Sequence, residues 1–94
     1  MSFKFAEEVG RFVAKDAQGL EVGEVTFSRD GENVIVIDHT GIDPAQRGQG
    51  LAEELVCHVV EKAKKEGLKI VPLCSYAKKE FDKKTEYKEV LAEK

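Results

Sequence analysis

The sequence contains few of the residues on which specialised protein classes depend. It has no tryptophan, two prolines and two cysteines among its 94 residues. Cys57 and Cys74 form neither a C-x-x-C metal motif nor a disulfide framework, so we expect reduced thiols and no metal site. No apolar run reaches the length of a membrane span, and residues 1–9 lack the apolar core of a signal peptide. We therefore expect a cytoplasmic protein with no membrane partner.

An excess of positive charge is also missing. The formal net charge is −3 and the isoelectric point is about 5.4. Nonspecific nucleic-acid binding needs a broad basic surface, so we expect no nucleic-acid partner. Lysines do cluster within residues 62–65 and 78–84. These clusters indicate either solvated helix faces or a local attraction for a phosphate-bearing cofactor.

Length and composition indicate one domain over residues 1–94. Charged residues make up 35% of the chain and hydrophobic residues 41%, which is a globular balance. The sequence contains no repeat, no low-complexity linker and no internal boundary. A monomer is the simplest expectation.

Alternating apolar residues predict antiparallel hairpins in the first third of the chain. Residues 11–15 and 20–29 flank a turn at residues 16–19, and the alternation slips near Gly23, which predicts a β-bulge there. Phe3 and Phe5 also alternate, and whether they begin an edge strand stays open. After a second turn, the apolar run of residues 34–37 predicts a central strand that is covered on both faces.

Helical periodicity follows. A core-facing helix is predicted from an apolar stripe at helical spacing: Leu51, Ala52, Leu55, Val56, Val59, Val60 and Ala63. Gly67 suits the end of this helix, and residues 68–73 predict a short strand. Ser75 and Thr85 are predicted to cap two short helical segments. The expected fold class is α+β: a mixed sheet of four or five strands with a central right-handed βαβ unit, one long helix and a short helical C-terminus.

The stretch of the sequence with the strongest chemical signature is Asp43 to Ala52, D-P-A-Q-R-G-Q-G-L-A, which joins the strand to the helix. Backbone N–H groups and the positive end of the helix dipole would surround a small space that suits a phosphate. Gly48 and Gly50 can take a positive φ and let the backbone approach an anion closely. Spacing alone also fits ordinary turn chemistry, because Glu53 replaces the third glycine of a G-x-G-x-x-G motif and no Walker motif follows.

The same stretch resembles the pyrophosphate loop Q/R-x-x-G-x-G/A of the GNAT superfamily of acyl-CoA-dependent N-acetyltransferases, with Arg47, Gly50 and Ala52 in the defined places. Together with D-H-T at residues 38–40 and P-L-C-S-Y at residues 72–76, it resembles a small, short-chain branch of that superfamily. The resemblance implies a GNAT-like fold and acetyl-CoA as cosubstrate. The cofactor-binding residues that it implies are Thr40, Gly41, Ile42, Asp43, Arg47, Gly48, Gln49, Gly50, Leu51 and Ala52.

Three residues are candidates for the chemistry of acetyl transfer. His39 suits a general base, because imidazole as a residue type can exchange a proton near neutral pH, although a histidine in a strand is as often structural. Cys74 follows the strand after the helix, so it lies near the loop in a βαβ unit. It is either a nucleophile that His39 activates or a buried small residue. Tyr76 is implied by the resemblance to protonate the departing thiolate, and packing explains it as well.

Two other reactive residues are expected to stay outside the site. His58 follows Glu54 by four residues and predicts a surface pair on the helix. Cys57 faces mostly away from the apolar stripe.

The expected function is acetyl-CoA binding with transfer of acetyl to an unidentified amine. The sequence departs from typical GNAT proteins, which insert helices between their first two strands and end in a strand pair. Two alternatives therefore stay open: a non-catalytic acyl-CoA-binding module, and a small protein-interaction domain.

Overall fold

The computed structural model describes residues 3–48 and 50–92, so the predicted cofactor-binding residue Gln49 lies outside the described residues. Five strands form one sheet in chain order. The strands are β1 Lys4–Glu8, β2 Arg11–Lys15, β3 Glu21–Arg29, β4 Val34–Ile42 and β5 Lys69–Pro72; the helices are a 3₁₀ helix Pro44–Gln46, α1 Leu51–Glu66, α2 Ser75–Lys83 and a second 3₁₀ helix Thr85–Val90.

Strand pairing confirms the predicted α+β fold. Strands β1 to β4 pair antiparallel, and β4 pairs parallel with β5 after the crossover through α1. Phe5 lies in β1, so the N-terminal residues do form an edge strand, a point that the sequence left open. The C-terminal residues are helical, as expected, and Leu91 adds an isolated parallel bridge to Ile70 of β5.

A β-bulge interrupts β3 where the sequence predicted one. Ala14 pairs with Gly23 while Lys15 pairs with Glu21, which leaves Val22 as the extra residue. The bulge turns Val22 into the buried layer. A Cβ atom on Gly23 would lie 2.8 Å from Cδ1 of Ile42. Glycine at this position therefore lets the Ile42 side chain pack directly on the backbone of β3.

The helices cover one face of the sheet. Ile35 and Ile37 of β4 are fully buried in the same cluster as the apolar side chains of α1, α2 and the second 3₁₀ helix. Val34 and Val36, which alternate with them, are half-buried on the opposite face. The prediction that this strand is covered on both faces is wrong, because the β4–α1–β5 crossover and the C-terminal helical segments all pack on the same side. We call the other side the open face.

Glycines mark both ends of α1. Gly50 precedes it with a φ of 78°, and Gly67 follows it with a φ of 70°. The N–H of Leu68 bonds to the carbonyl of Ala63 at 2.8 Å, which closes the helix end that the sequence predicted. No described helix has the length and apolar character needed to cross a membrane.

The predicted caps of the last two helical segments are wrong by one residue. Cys74 occupies the N-cap of α2, and Lys84 precedes the second 3₁₀ helix. Cys74 is held in an extended conformation because its N–H bonds to the carbonyl of Ile37 at 3.1 Å. The helix can therefore begin only at Ser75.

Candidate functional site

Strands β4 and β5 part before β4 ends. Their pairing stops at Ile37 and Pro72, whereas β4 continues to Ile42. The N–H groups of Leu73 and Cys74 both bond to the carbonyl of Ile37 at 3.1 Å, and the chain then turns into α2. Along residues 38–42, the side of β4 toward β5 thus has no strand partner among the described residues. Its backbone groups are available to an extended ligand.

The loop after β4 brings the backbone to the start of α1. The carboxylate of Asp43 accepts a hydrogen bond from the N–H of Ala45 at 3.0 Å, which fixes the first 3₁₀ helix. Gly48 has a φ of 85° and Gly50 a φ of 78°, so both predicted positive-φ glycines are confirmed. A Cβ atom on either would meet nothing within 4 Å, because both glycines border open space.

The loop, the end of β4 and the start of α1 enclose a cavity of about 400 Å³. The N–H of Glu54 bonds to the carbonyl of Gly50 at 3.0 Å. The three N–H groups before it, those of residues 51–53, have no acceptor within the helix. We call this space the β4 cavity; its lining is Thr40, Ile42, Gln46, Arg47, Gly48, Gly50, Leu51, Ala52 and Tyr76.

Most of the predicted cofactor-binding residues therefore meet at one place. Gly41 and Asp43 do not line the β4 cavity; they border a shallower depression beside β3. The N–H of Arg47 is also used within the loop, since it bonds to the carbonyl of Pro44 at 3.4 Å. The N–H groups left for an anion are those nearer the helix.

Cys74 lies at the junction of β5 and α2 and faces the end of β4. Its Sγ is 3.5 Å from Oγ1 of Thr40. Burial alone would raise the pKa of the Cys74 thiol, but hydrogen bonds from Thr40 and from the N–H groups of Tyr76 and Ala77 lower it below its ordinary value. A thiol at a helix N-terminus with these donors has increased thiolate character.

His39 lies on the open face. It pairs with Thr26 of β3, and its Nε2 would be 3.0 Å from a Cβ atom on Gly41. Thr40, the next residue, points to the opposite face and into the β4 cavity. The structure therefore does not bring the imidazole to Cys74 as predicted, because alternate residues of a strand face opposite sides. A role for His39 stays a prediction that requires a substrate on the open face.

Tyr76 forms the wall of the β4 cavity on the side of α2. Burial, and then the negative charges of Glu80 and Glu53, raise the pKa of its hydroxyl above the ordinary value. The phenol is thus held in its protonated form at neutral pH, which is the form that can donate a proton.

The sequence analysis missed Glu80, a carboxylate that is 2% exposed. Its Oε1 lies 3.2 Å from Nζ of Lys84, which in turn lies 2.6 Å from Oε2 of Glu53 in the first turn of α1. The hydrogen bond to Glu53 raises the pKa of Lys84, and that of Glu53 is lowered. The spacing of Tyr76, Glu80 and Lys84, four residues apart on α2, was the available signal.

The two residues expected to stay outside the site do not line the β4 cavity, but His58 is placed differently from the prediction. His58 does not form a surface pair with Glu54 but stacks on Phe5 and Phe12, with ring centroids 4.7 and 5.6 Å apart. Cys57 is half-buried under Tyr87, and burial and the hydrogen bond with Cys57 raise the pKa of that tyrosine to about 12. The correction for His58 arises because Phe5 of β1 and Phe12 of β2 pack on the flank of α1. Among the described residues, no cluster of His, Cys, Asp and Glu side chains could hold a metal ion.

Comparison with known families agrees with this geometry. Residues 11–90 match the family of GCN5-related N-acetyltransferases. The chain belongs to this GNAT family. A comparison with curated protein sequences finds no match.

Solved structures support the same assignment. A GCN5-like protein from Staphylococcus aureus is 32% identical, with a TM-score of 0.78 over 95% of this chain and 87% of that one. The GNAT N-acetyltransferase YhbS from Escherichia coli, solved in complex with CoA, is also 32% identical, with a TM-score of 0.60 over 67% of this chain and 38% of that one. Rv2747 from Mycobacterium tuberculosis shares the fold, at 22% identity and a TM-score of 0.66 over 79% of this chain and 46% of that one. The chain thus spans less than half the length of the two larger proteins.

Proposed function

We propose that this GNAT chain, acting as a single domain over residues 1–94, binds acetyl-CoA in the β4 cavity and transfers the acetyl group to an amine. The observation that carries the proposal is that the positive-φ glycine loop and the unpaired end of β4 meet at one cavity, while the thiol of Cys74 lies 3.5 Å from Oγ1 of Thr40, a residue that lines it. Bound acetyl-CoA would supply an activated acetyl thioester.

Different groups of the chain would bind different parts of acetyl-CoA. The free N–H groups of Leu51 and Ala52, together with the N–H of Gly50, suit the pyrophosphate, because they lie at the positive end of α1 and border the cavity. The exposed guanidinium of Arg47 adds charge at the rim. On the side of β4 away from β3, backbone groups of residues 40–42 suit the amides of the pantetheine arm, since no described strand pairs with that side.

Two routes for the acetyl group fit the site. In the direct route, the amine attacks the thioester, and Tyr76 gives a proton to the departing CoA thiolate. In the two-step route, the Cys74 thiolate attacks first; the carbon–sulfur bond to CoA breaks as the bond to Sγ forms, and the amine then takes the acetyl group from Cys74. The lowered pKa of Cys74 favours the second route, because the thiolate is the nucleophilic form.

Binding is tested by the melting temperature with and without acetyl-CoA, with pyrophosphate as the control for simple anion binding. Acetyl-CoA at one hundred times its dissociation constant should add about 2.7 kcal/mol of stability. For a domain of this size, this corresponds to a rise of roughly 10–20 °C. An unchanged melting temperature with both CoA and acetyl-CoA would refute the proposal and leave the interaction domain as the alternative.

The route is tested by mass spectrometry after incubation with acetyl-CoA and no amine. The two-step route predicts one acetyl group on Cys74 and none on Cys57. Cys74→Ala should remove both the adduct and the turnover, whereas the control Cys57→Ala should retain them. Full turnover by Cys74→Ala would exclude the two-step route and leave the direct route. Binding of acetyl-CoA without transfer to any amine would instead favour the non-catalytic module.

We also propose that the acceptor is a small or exposed amine and that the protein acts as a cytoplasmic monomer without a nucleic-acid or membrane partner. The net charge of −3 supports the lack of a nucleic-acid partner, because nonspecific nucleic-acid binding needs a broad basic surface. Sedimentation of the purified chain measures the oligomeric state.

A further inference from the structure

Glu80 is a buried carboxylate beside the proposed active site. Its side chain is 3% exposed, although ionisable side chains are seldom fully buried unless they are paired. The ammonium of Lys84 lies 3.2 Å from Oε1, yet outside hydrogen-bonding geometry. Among the described residues, Oε1 has no hydrogen-bond partner. A buried oxygen with spare acceptor capacity is costly, which raises the question of what it accepts.

Tyr76 connects this carboxylate to the β4 cavity. It lies one helical turn before Glu80 on α2, and residues four apart share a helix face. Its side chain borders the β4 cavity on one side and, on the other, a second cavity of about 450 Å³ that Glu80 also lines. The phenol thus separates the place of the proposed chemistry from the buried carboxylate.

The charges around this pair come from each packed element. Glu53 faces it from α1, Lys83 and Lys84 from the C-terminal end of α2, and Tyr87 from the second 3₁₀ helix. Cys74 lies at the start of α2. Nζ of Lys83 lies 3.5 Å from Oε2 of Glu80, and Nζ of Lys84 lies 3.2 Å from Oε1. The carboxylate's influence on the raised pKa of Tyr76 agrees with their proximity.

We propose that Glu80 is the proton-relay partner of Tyr76, and that the pair carries a proton from the attacking amine to the departing CoA sulfur. The inference rests on the direct route of the proposed function, in which the amine attacks the thioester of acetyl-CoA. As the amine nitrogen bonds to the acetyl carbon, its proton passes to the oxygen of Tyr76 while the phenol's own proton passes to Oε1 of Glu80. As the carbon–sulfur bond breaks, Tyr76 protonates the sulfur and recovers a proton from Glu80.

The proton balance closes without an external base. Both groups end in the states in which they began, with a phenol at Tyr76 and a carboxylate at Glu80. Glu80 itself touches no substrate, so it acts as a positioning residue for the proton of Tyr76. The relay provides a path for the amine's proton on the cavity side of the sheet. His39 cannot provide one there, because its imidazole lies on the open face.

The first test measures the coupling without relying on activity. Both tyrosines are labelled with ¹³C at Cζ, and their pKa values are followed by NMR in the unsubstituted chain, in Glu80→Gln and in the matched control Glu86→Gln, an exposed carboxylate of the second 3₁₀ helix. Glu80→Gln preserves shape and should lower the pKa of Tyr76, whereas Glu86→Gln should leave it unchanged. An unchanged pKa of Tyr76 in folded Glu80→Gln would overturn the relay.

The second test measures acetyl transfer from acetyl-CoA to spermidine, to a lysine peptide and to a peptide with a free N-terminal alanine, with CoA quantified by chromatography. Glu80→Gln should lower kcat by about 10² at pH 7 with little change in KM, the lower end of a lost general base. The loss should be accompanied by a larger solvent deuterium isotope effect on kcat, because transfer of the amine's proton then limits the rate. Tyr76→Phe should give the same change.

The outcomes separate the two proposals. A loss of kcat with an unchanged solvent isotope effect would show a structural role and overturn the relay while leaving acetyl transfer intact. The absence of transfer by the unsubstituted chain to all three amines would refute the proposed transfer and the relay with it. If Glu80→Gln does not fold, Tyr76→Phe alone decides, since its loss of kcat must be accompanied by the same larger isotope effect.

Discussion

Replacing Gly50 by alanine should weaken acetyl-CoA binding by more than its effect on stability explains. Gly50 has a φ of 78°, a conformation that costs an L-residue about 1–2 kcal/mol. Part of this cost is offset, because alanine restricts the unfolded chain by about 0.4–1 kcal/mol. The net loss of stability should be about 1 kcal/mol. A Cβ atom at this position meets nothing within 4 Å, so no steric term is added in the unliganded protein.

Gly67 provides a matched control at the other end of the same helix. It has a φ of 70°, and a Cβ atom there also meets nothing within 4 Å. Gly67→Ala should therefore lower the melting temperature by the same amount, about 4–8 °C for 1 kcal/mol in a domain of this size. The control differs in one respect, since Gly67 does not line the β4 cavity.

Calorimetric titration with acetyl-CoA separates the two effects. In Gly50→Ala, the added methyl group occupies space at the cavity wall where a phosphate oxygen is proposed to lie, so the dissociation constant should rise at least tenfold, or about 1.4 kcal/mol. In Gly67→Ala, it should stay within twofold. Equal affinities of the two variants would refute the assignment of this loop as the phosphate site.

Two further predictions follow from the residues around the cavity. Alkylation of Cys74 by iodoacetamide should reach half its maximal rate at a pH below that of the free amino acid cysteine, because the thiolate of a group with a lowered pKa is already present at lower pH. Thr40→Val should move this midpoint upward, and an unchanged midpoint would contradict the role of Thr40. Gly23→Ala should displace the side chain of Ile42, because Cδ1 of Ile42 would lie only 2.8 Å from the new Cβ. Since Ile42 lines the β4 cavity, the dissociation constant of acetyl-CoA should rise. An unchanged dissociation constant would show that the side chain of Ile42 moves without altering the cavity.

The sequence predicted those parts of the structure that local patterns determine. The apolar stripe of α1 has a period of 3.6 residues, and the slip near Gly23 is a break in a period of two, so the helix and the bulge were both visible. The positive φ of Gly48 and Gly50 followed from glycine's freedom at a strand-to-helix turn. Each of these inferences needed fewer than about 20 consecutive residues.

Features that depend on distant contacts were not predictable in the same way. The side chain of His39 faces the open side because of the strand's register with β3, where Asp38 is left out of the pairing between Thr26 and Phe27. Glu80 belongs to a segment rich in lysine and acidic residues, which is typical of a solvated helix face. Its burial depends on where α2 packs against β5 and α1, which no local period encodes.

The parting of β4 and β5 links the fold to the proposed chemistry. Pro72 ends β5 without an N–H to donate, and the carbonyl of Ile37 instead accepts the N–H groups of Leu73 and Cys74. This arrangement ends the strand pairing and leaves the end of β4 free for a ligand. It also fixes the backbone of Cys74, so that the thiol faces Thr40 and α2 begins beside the cavity with Tyr76 in its first turn. One backbone feature thus opens the proposed binding site and places two of the proposed reactive side chains at it, which explains how so short a chain could bring these groups together.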